Sequence, residues 1–316
     1  MNTPAQTLKQ TLTGELGKTI YGMPEVIHGL YLALVGGGHV LLQGGPGLGK
    51  TLLAKTFAAL LGGRFKRIQC TADMMPSDIT GLHIFNSEKN SFEFVPGPLF
   101  ADVVLVDEIN RTGPKTQSAL LEAMEERSVT IDRQTYRLPD QFLVIASQNP
   151  IEFEGTYPLP ESQLDRFMVR LGLDFPEPAV EMQVLKRYDK PGGGHADPGE
   201  ISALDPAVVN AARDHAAGVH VADTVYQYVS AIAETSRHHP QVSQGVSTRG
   251  ALNLMRLARV EAAGEGAEFV TPDHVQAVAP AVLAHRLMLT ADASLEGVEA
   301  PEVVTSILKQ VSVPRE

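Results

Sequence analysis

One cysteine, no tryptophan and no apolar run long enough to cross a bilayer: each absence from these 316 residues closes off a class of protein. A lone Cys70 cannot build a disulfide framework and suits a reducing compartment, where a buried thiol is its expected role. The ten histidines are scattered, and His238-His239 before Pro240 has no partners at zinc-ligand spacing, so no structural metal is expected. No charged-then-apolar leader opens the chain, and a membrane span needs about 20 apolar residues, so the expected location is the cytoplasm. Basic residues are outnumbered 26 to 37, leaving a net charge of -11. Binding to a nucleic-acid backbone releases counterions from a basic stripe, so extended nucleic-acid contact is not expected. No internal repeat or low-complexity tract interrupts the sequence.

Glycine is plentiful, and it concentrates where chemistry needs it. Residues 44 to 51 read GGPGLGKT, a complete Gly-x-x-x-x-Gly-Lys-Thr phosphate loop preceded by the apolar run His39 to Gln43. Gly44, Gly45, Pro46, Gly47, Leu48 and Gly49 form the curl whose backbone N–H groups would face phosphate oxygens. Leu52 continues the Gly- and Pro-free stretch to Leu61, which is read as the helix whose positive end meets the same charge. Lys50 is placed on the β- and γ-phosphates and Thr51 on Mg²⁺.

Hydrolysis also needs acids and a polar group to hold water. Residues 103 to 108 read VVLVDE, a doubly buried strand ending in two carboxylates. Asp107 is assigned to the metal through its water shell and Glu108 to the attacking water. A further apolar strand, Phe142 to Ala146, runs into Ser147-Gln148-Asn149-Pro150, which puts the Asn149 amide at a neighbouring strand end. An Asn-Pro turn is the plainer reading of that dipeptide.

In this order the motifs resemble the AAA+ ATPases. RIQCTADMMPSDITG at 67 to 81, DEINRTGPKTQSALLEAMEER at 107 to 127 and SQNPIEFEGTYPLPESQLDRF at 147 to 167 closely resemble the MoxR family, over a span from about Ile20 to Arg259. That resemblance implies a P-loop α/β core with a parallel sheet and flanking helices, followed by a small all-α lid. It also implies ATP and Mg²⁺ as ligands, and a homo-oligomeric ring of six copies with nucleotide between neighbours. It gives Arg166 of LDRF the role of a finger projecting into the neighbour's site, with Arg170 as the substitute. Such an arginine is worth about 10³ to 10⁵ in rate. Arg249, in STRGALNLMRLARV at 247 to 260, matches the second sensor arginine, which would reach from the lid to the γ-phosphate. TIYGM at 19 to 23 resembles the hydrophobic-Gly-Gln signature with Met23 in place of Gln, leaving Ile20, Tyr21 and Gly22 as adenine-side candidates.

The family further implies a chaperone-like remodeller of protein clients, whose partner often carries a von Willebrand factor A domain. A DNA helicase, a metal-chelatase ATPase subunit and a slow nucleotide-switched scaffold stay open as alternatives. The expected division is an α/β core over 1–176 and a helical lid over 177–316, the latter with helices around 205–217, 223–237, 249–263 and 272–287 and a flexible loop at 190–200. Two hairpins interrupt the core. Ile84 to Val95 has a polar centre, and Ser128 to Leu138 turns at Arg133-Gln134. In the family such loops commonly face a pore or client, and a solvated edge without a partner is an equal reading.

Overall fold

Alternation along three short strands decides the architecture. Val103, Leu105, Leu143, Ile145, Val40 and Leu42 are buried in one apolar cluster, whereas Val104, Val106, Val144, Ala146 and Leu41 are buried in a second. Side chains on a strand point to opposite faces in turn, so continuous apolar runs are what a sheet covered on both sides requires. Fully burying a Val, Leu or Ile side chain stabilises by about 1.5–3 kcal/mol.

The computed structural model describes residues 2–149, 155–189 and 201–314. The expected loop at 190–200 and the proline of the Asn149-Pro150 turn lie outside the described residues. Helix α1 (Pro4–Gly17) and α2 (Pro24–Gly36) lead into strand β1 (Val40–Gln43), the phosphate loop and α3 (Lys50–Leu60). Next come β2 (Phe65–Gln69), α4 (Pro76–Thr80), the hairpin β3 (Gly81–Asn86) and β4 (Ser91–Pro96), and then β5 (Val103–Asp107). Helix α5 (Pro114–Glu126), the hairpin β6 (Ser128–Ile131) and β7 (Gln134–Arg137), β8 (Leu143–Gln148), α6 (Glu161–Leu164) and β9 (Val169–Gly172) complete the α/β part. The main sheet is wholly parallel, in the order β2-β5-β8-β1-β9. Both hairpins form where the sequence predicts them, each a two-stranded antiparallel sheet.

The remainder is mainly helical: α7 (Pro178–Tyr188), α8 (Pro206–Gly218), α9 (Asp223–His238), α10 (Thr248–Glu265), α11 (Pro272–Leu283), α12 (Ala291–Leu295) and α13 (Ala300–Gln310). The fold is thus a P-loop α/β unit with a parallel sheet and flanking helices, followed by a helical lid. Helix α1 was not anticipated, although its signal is local. The Thr3 hydroxyl accepts from the Gln6 N–H while the Gln6 side chain accepts from the Thr3 N–H, a reciprocal cap with Pro4 at the first turn. Leu8, Leu12 and Leu16 of α1 join the same buried cluster as helices α8 to α11 and α13, and Lys9 Nζ lies 3.0 Å from Glu261 Oε1 on α10. The N-terminal helix therefore seats on the lid. No helix among the described residues is long and apolar enough to cross a membrane.

Candidate functional site

The phosphate loop begins where β1 stops. Gly44 donates its N–H to the Gln148 carbonyl (3.2 Å), and a Cβ on Gly44 would lie 2.6 Å from the Leu173 carbonyl oxygen, so only glycine fits between the two flanking chains. Gly47 (φ +80°) and Gly49 (φ +77°) take the left-handed conformation that side chains disfavour. In front of Gly45, Gly47 and Gly49 an added Cβ would meet open space, room for a ligand to approach the backbone. Pro46 is exposed, while Leu48 is buried and Leu52 is half-buried against the main core, which anchors the loop from behind. Lys50 is buried, and its ammonium donates to the carbonyls of Gly44 (3.0 Å) and Gly45 (3.3 Å). Thr51 follows in the first turn of α3. A loop of this shape fits a triphosphate.

Sheet order brings the acids to the same end. Asp107 closes β5, and Glu108 turns out of the strand with φ +56° and ψ 53°, a strained setting for a non-glycine residue. Ser147, fully buried at the end of adjacent β8, donates to Asp107 Oδ1 (2.5 Å) and accepts the Glu108 N–H (3.0 Å). Asp107 Oδ2 lies 2.6 Å from Arg67 Nη2, and Glu108 Oε2 accepts from Gln69 Nε2 (3.1 Å) and pairs with Arg111 Nε (3.0 Å). Asn149 is buried one residue beyond Gln148, whose carbonyl receives the first glycine of the loop. Sequence reasoning missed Ser147, Arg67, Gln69 and Arg111. Ser147 could have been weighed from its place after an apolar strand, but the two β2 residues could not, since nothing in their order says that β2 borders β5. The carboxylate of Asp107 and the hydroxyl of Thr51 are hard oxygen donors suited to Mg²⁺.

Cys70 is buried as expected. It donates its N–H to the Asp107 carbonyl, and burial first, then the Asp107 and Glu108 charges, push its thiol up to about 12. Of the residues expected on the adenine side, Gly22 (φ +72°) lies so close to α7 that a Cβ would stand 2.8 Å from Val180 Cγ1. Arg187 of α7 donates to the Tyr21 hydroxyl (3.1 Å) and lies 5.8 Å from its ring centre. Ile20 is turned into the core.

The two candidate arginines come together elsewhere. Arg166 Nη1 is 3.1 Å from one oxygen of Glu125, and Arg249 Nη2 is 2.5 Å from the other. Glu125 follows Met124, whose carbonyl accepts from Nε2 of His39 just before β1, whereas the phosphate loop leaves the other end of that strand. Four strand residues span about 13 Å. Arg249, expected to reach from the lid to the γ-phosphate, sits beside Arg166 at the end of β1 opposite the phosphate loop. Arg170 lies within β9, where burial lowers its pKa and Glu299 partly offsets this. Arg256 and Arg259 donate within the chain, to the Gly36 carbonyl (3.4 Å) and the Tyr226 hydroxyl (2.9 Å).

Comparison with known proteins gives the same outline. The profile of the ATPase family associated with various cellular activities (AAA) matches residues 39–169, and that of the AAA lid domain matches 234–307. Chaperone MoxR1 of Mycobacterium tuberculosis is 37% identical over 310 residues, covering 95% of this chain and 81% of that protein. Protein MoxR of Methylorubrum extorquens is 30% identical over 329 residues, covering 95% and 93%. A candidate ATPase of known crystal structure from Cytophaga hutchinsonii superposes with a TM-score of 0.88 at 35% identity, covering 99% of this chain and 97% of that one.

Proposed function

We propose, from the premise that this chain belongs to the MoxR family of AAA+ ATPases, that it hydrolyses ATP between neighbouring copies in a ring and uses the cycle to remodel a protein client. The supporting observation is a division of labour along β1: phosphate loop, Asp107, Glu108 and Asn149 gather at one end, while Arg166 and Arg249 are paired on Glu125 at the other. One chain holds both halves of a site that it cannot close on itself.

In this reading the amides of residues 44 to 49 and the Lys50 ammonium bind the β- and γ-phosphates. Glu108 orients and polarises the attacking water, and Asn149 fixes the water or a γ-phosphate oxygen. Thr51 and Asp107 would hold Mg²⁺, which would supply neutralisation of phosphate charge when bound. Arg166 of the neighbouring copy stabilises charge on the transferring phosphoryl group, and Arg249, seated beside it, reads the same γ-phosphate. Tyr21 and Gly22 border the base. A ring of six copies in the cytoplasm, with a von Willebrand factor A domain protein as partner, follows the family resemblance. The exposed apolar side chains Ile84, Phe85 and Phe92 of the first hairpin supply a surface for a client.

Metal-chelatase chemistry is the second reading. The magnesium-chelatase 38 kDa subunit of Acidiphilium rubrum is 29% identical over 222 residues, but this covers 66% of the chain, less than either MoxR protein. Phosphate release by wild type and by Glu108→Gln tests the proposal. The variant is expected to retain ATP while releasing phosphate far more slowly, and indistinguishable traces would favour a nucleotide-switched scaffold.

A further inference from the structure

Arg286 belongs to the lid, more than a hundred residues beyond Arg166, yet nearly all of its donors serve the segment that carries Arg166. Its side chain is buried, with Nε 2.7 Å from Asp165 Oδ1. Nη2 donates to the carbonyls of Asp165 (3.2 Å) and Phe167 (2.7 Å), and Nη1 to those of Met168 (3.3 Å) and Val282. Both chain neighbours of Arg166 are thereby gripped, while Arg166 itself is left to Glu125. Neighbouring His285 adds a bond from Nε2 to the Phe167 carbonyl (3.0 Å). The other oxygen of Asp165 accepts from the Ser247 hydroxyl (3.2 Å), and Ser247 caps α10, the helix that carries Arg249. Room for the Arg286 stem comes from Gly250, where a Cβ would lie 2.9 Å from Arg286 Cδ.

We propose that Arg286 is a positioning residue for the trans-acting arginine, fixing the Arg166 segment to the lid so that Arg166 and Arg249 are presented to the neighbour as one unit. The proposal rests on the reading of Arg166 given above. A buried ion pair contributes little net stability compared with well-packed apolar side chains, so its value here is geometric. A planar guanidinium fork sets direction as well as charge, which an ammonium does not.

The test uses Arg286→Lys, which keeps the charge and loses the fork, and Asp165→Asn, which keeps the shape and loses the charge. Both are expected to bind a fluorescent ATP analogue with wild-type affinity and to hydrolyse ATP about 10²-fold more slowly, the cost of misplacing a catalytic group by about 1 Å. Adding Lys50→Ala subunits, whose own Arg166 segment is intact, should restore turnover. Arg166→Ala mixed with Lys50→Ala is the control. Rescue of the control without rescue of Arg286→Lys or Asp165→Asn overturns the positioning role and leaves the trans reading standing, whereas failure of the control overturns the trans reading itself. Wild-type hydrolysis by Arg286→Lys, or loss of fold in both variants by circular dichroism, would also overturn the proposal.

Discussion

Arg67 lays its guanidinium 2.6 Å from Oδ2 of Asp107, joining the second strand of the sheet to the carboxylate proposed to hold Mg²⁺. On that proposal the two cations would compete for one oxygen. Arg67 is substantially exposed, and exposed pairs are worth about 0.2–1 kcal/mol. Arg67→Ala is expected to lower the Mg²⁺ concentration that half-saturates ATP hydrolysis, by about 1.5- to 5-fold in a titration at fixed ATP. A rise in that concentration would assign Arg67 a different task.

Ser147→Ala removes the hydroxyl that joins Asp107 to the Glu108 N–H. An amide left without its partner in a buried setting costs about 1–3 kcal/mol. Denaturant unfolding should show a loss of that order, accompanied by slower hydrolysis as Glu108 loses its support. Unchanged stability with unchanged turnover would contradict this account of the acidic pair.

Gly44→Ala places a methyl group against the Leu173 carbonyl oxygen, which is backbone and cannot swing aside. The loop must shift, so nucleotide affinity should fall at least about tenfold, equivalent to about 1.4 kcal/mol. Equilibrium binding of a fluorescent ATP analogue reads this directly. Wild-type affinity would show that the loop tolerates the displacement.

Stability should fall as the solution is acidified from neutral toward pH 4. His39 is buried, accepts the Val144 N–H at Nδ1 and lies with Nε2 3.0 Å from the Met124 carbonyl, and burial lowers its pKa to about 4. His285 is shifted in the same direction, by burial first and then by the Arg286 charge. Between the unfolded value near 6.5 and the folded value, the unfolded chain binds more protons, so its population gains as pH falls. His39 alone accounts for roughly 3 kcal/mol across that window. Denaturant midpoints measured from pH 7 to 4.5 should decline, and His39→Asn should flatten the slope.

What could be read from the sequence was whatever is contiguous in the chain. GGPGLGKT carries its turn, its cation and its hydroxyl within eight residues, and Asp107-Glu108 follows directly on its strand, so local order was enough. The hairpins and the lid helices α8 to α11 announced themselves by alternation and helical spacing in the same way. Arg67 and Gln69 were hidden because they act on residues 39 or 40 positions away, through a strand adjacency that only the folded sheet defines. The pairing of Arg249 with Arg166 on Glu125 was hidden for a related reason: a motif gives the residue but not the end of β1 toward which the lid turns it. Arg286 lay deepest of all, since its partner Asp165 is 121 positions distant.

Mixing two inactive variants tests the shared site most directly. Arg166→Ala keeps the phosphate loop but donates no arginine, and Lys50→Ala donates its arginine but cannot use nucleotide. In randomly mixed rings at equal proportion, half the sites keep the loop and half of those face a donor, so about a quarter of the wild-type rate per chain should return. No recovery at any ratio, with mixed assembly verified by mass, would contradict the account.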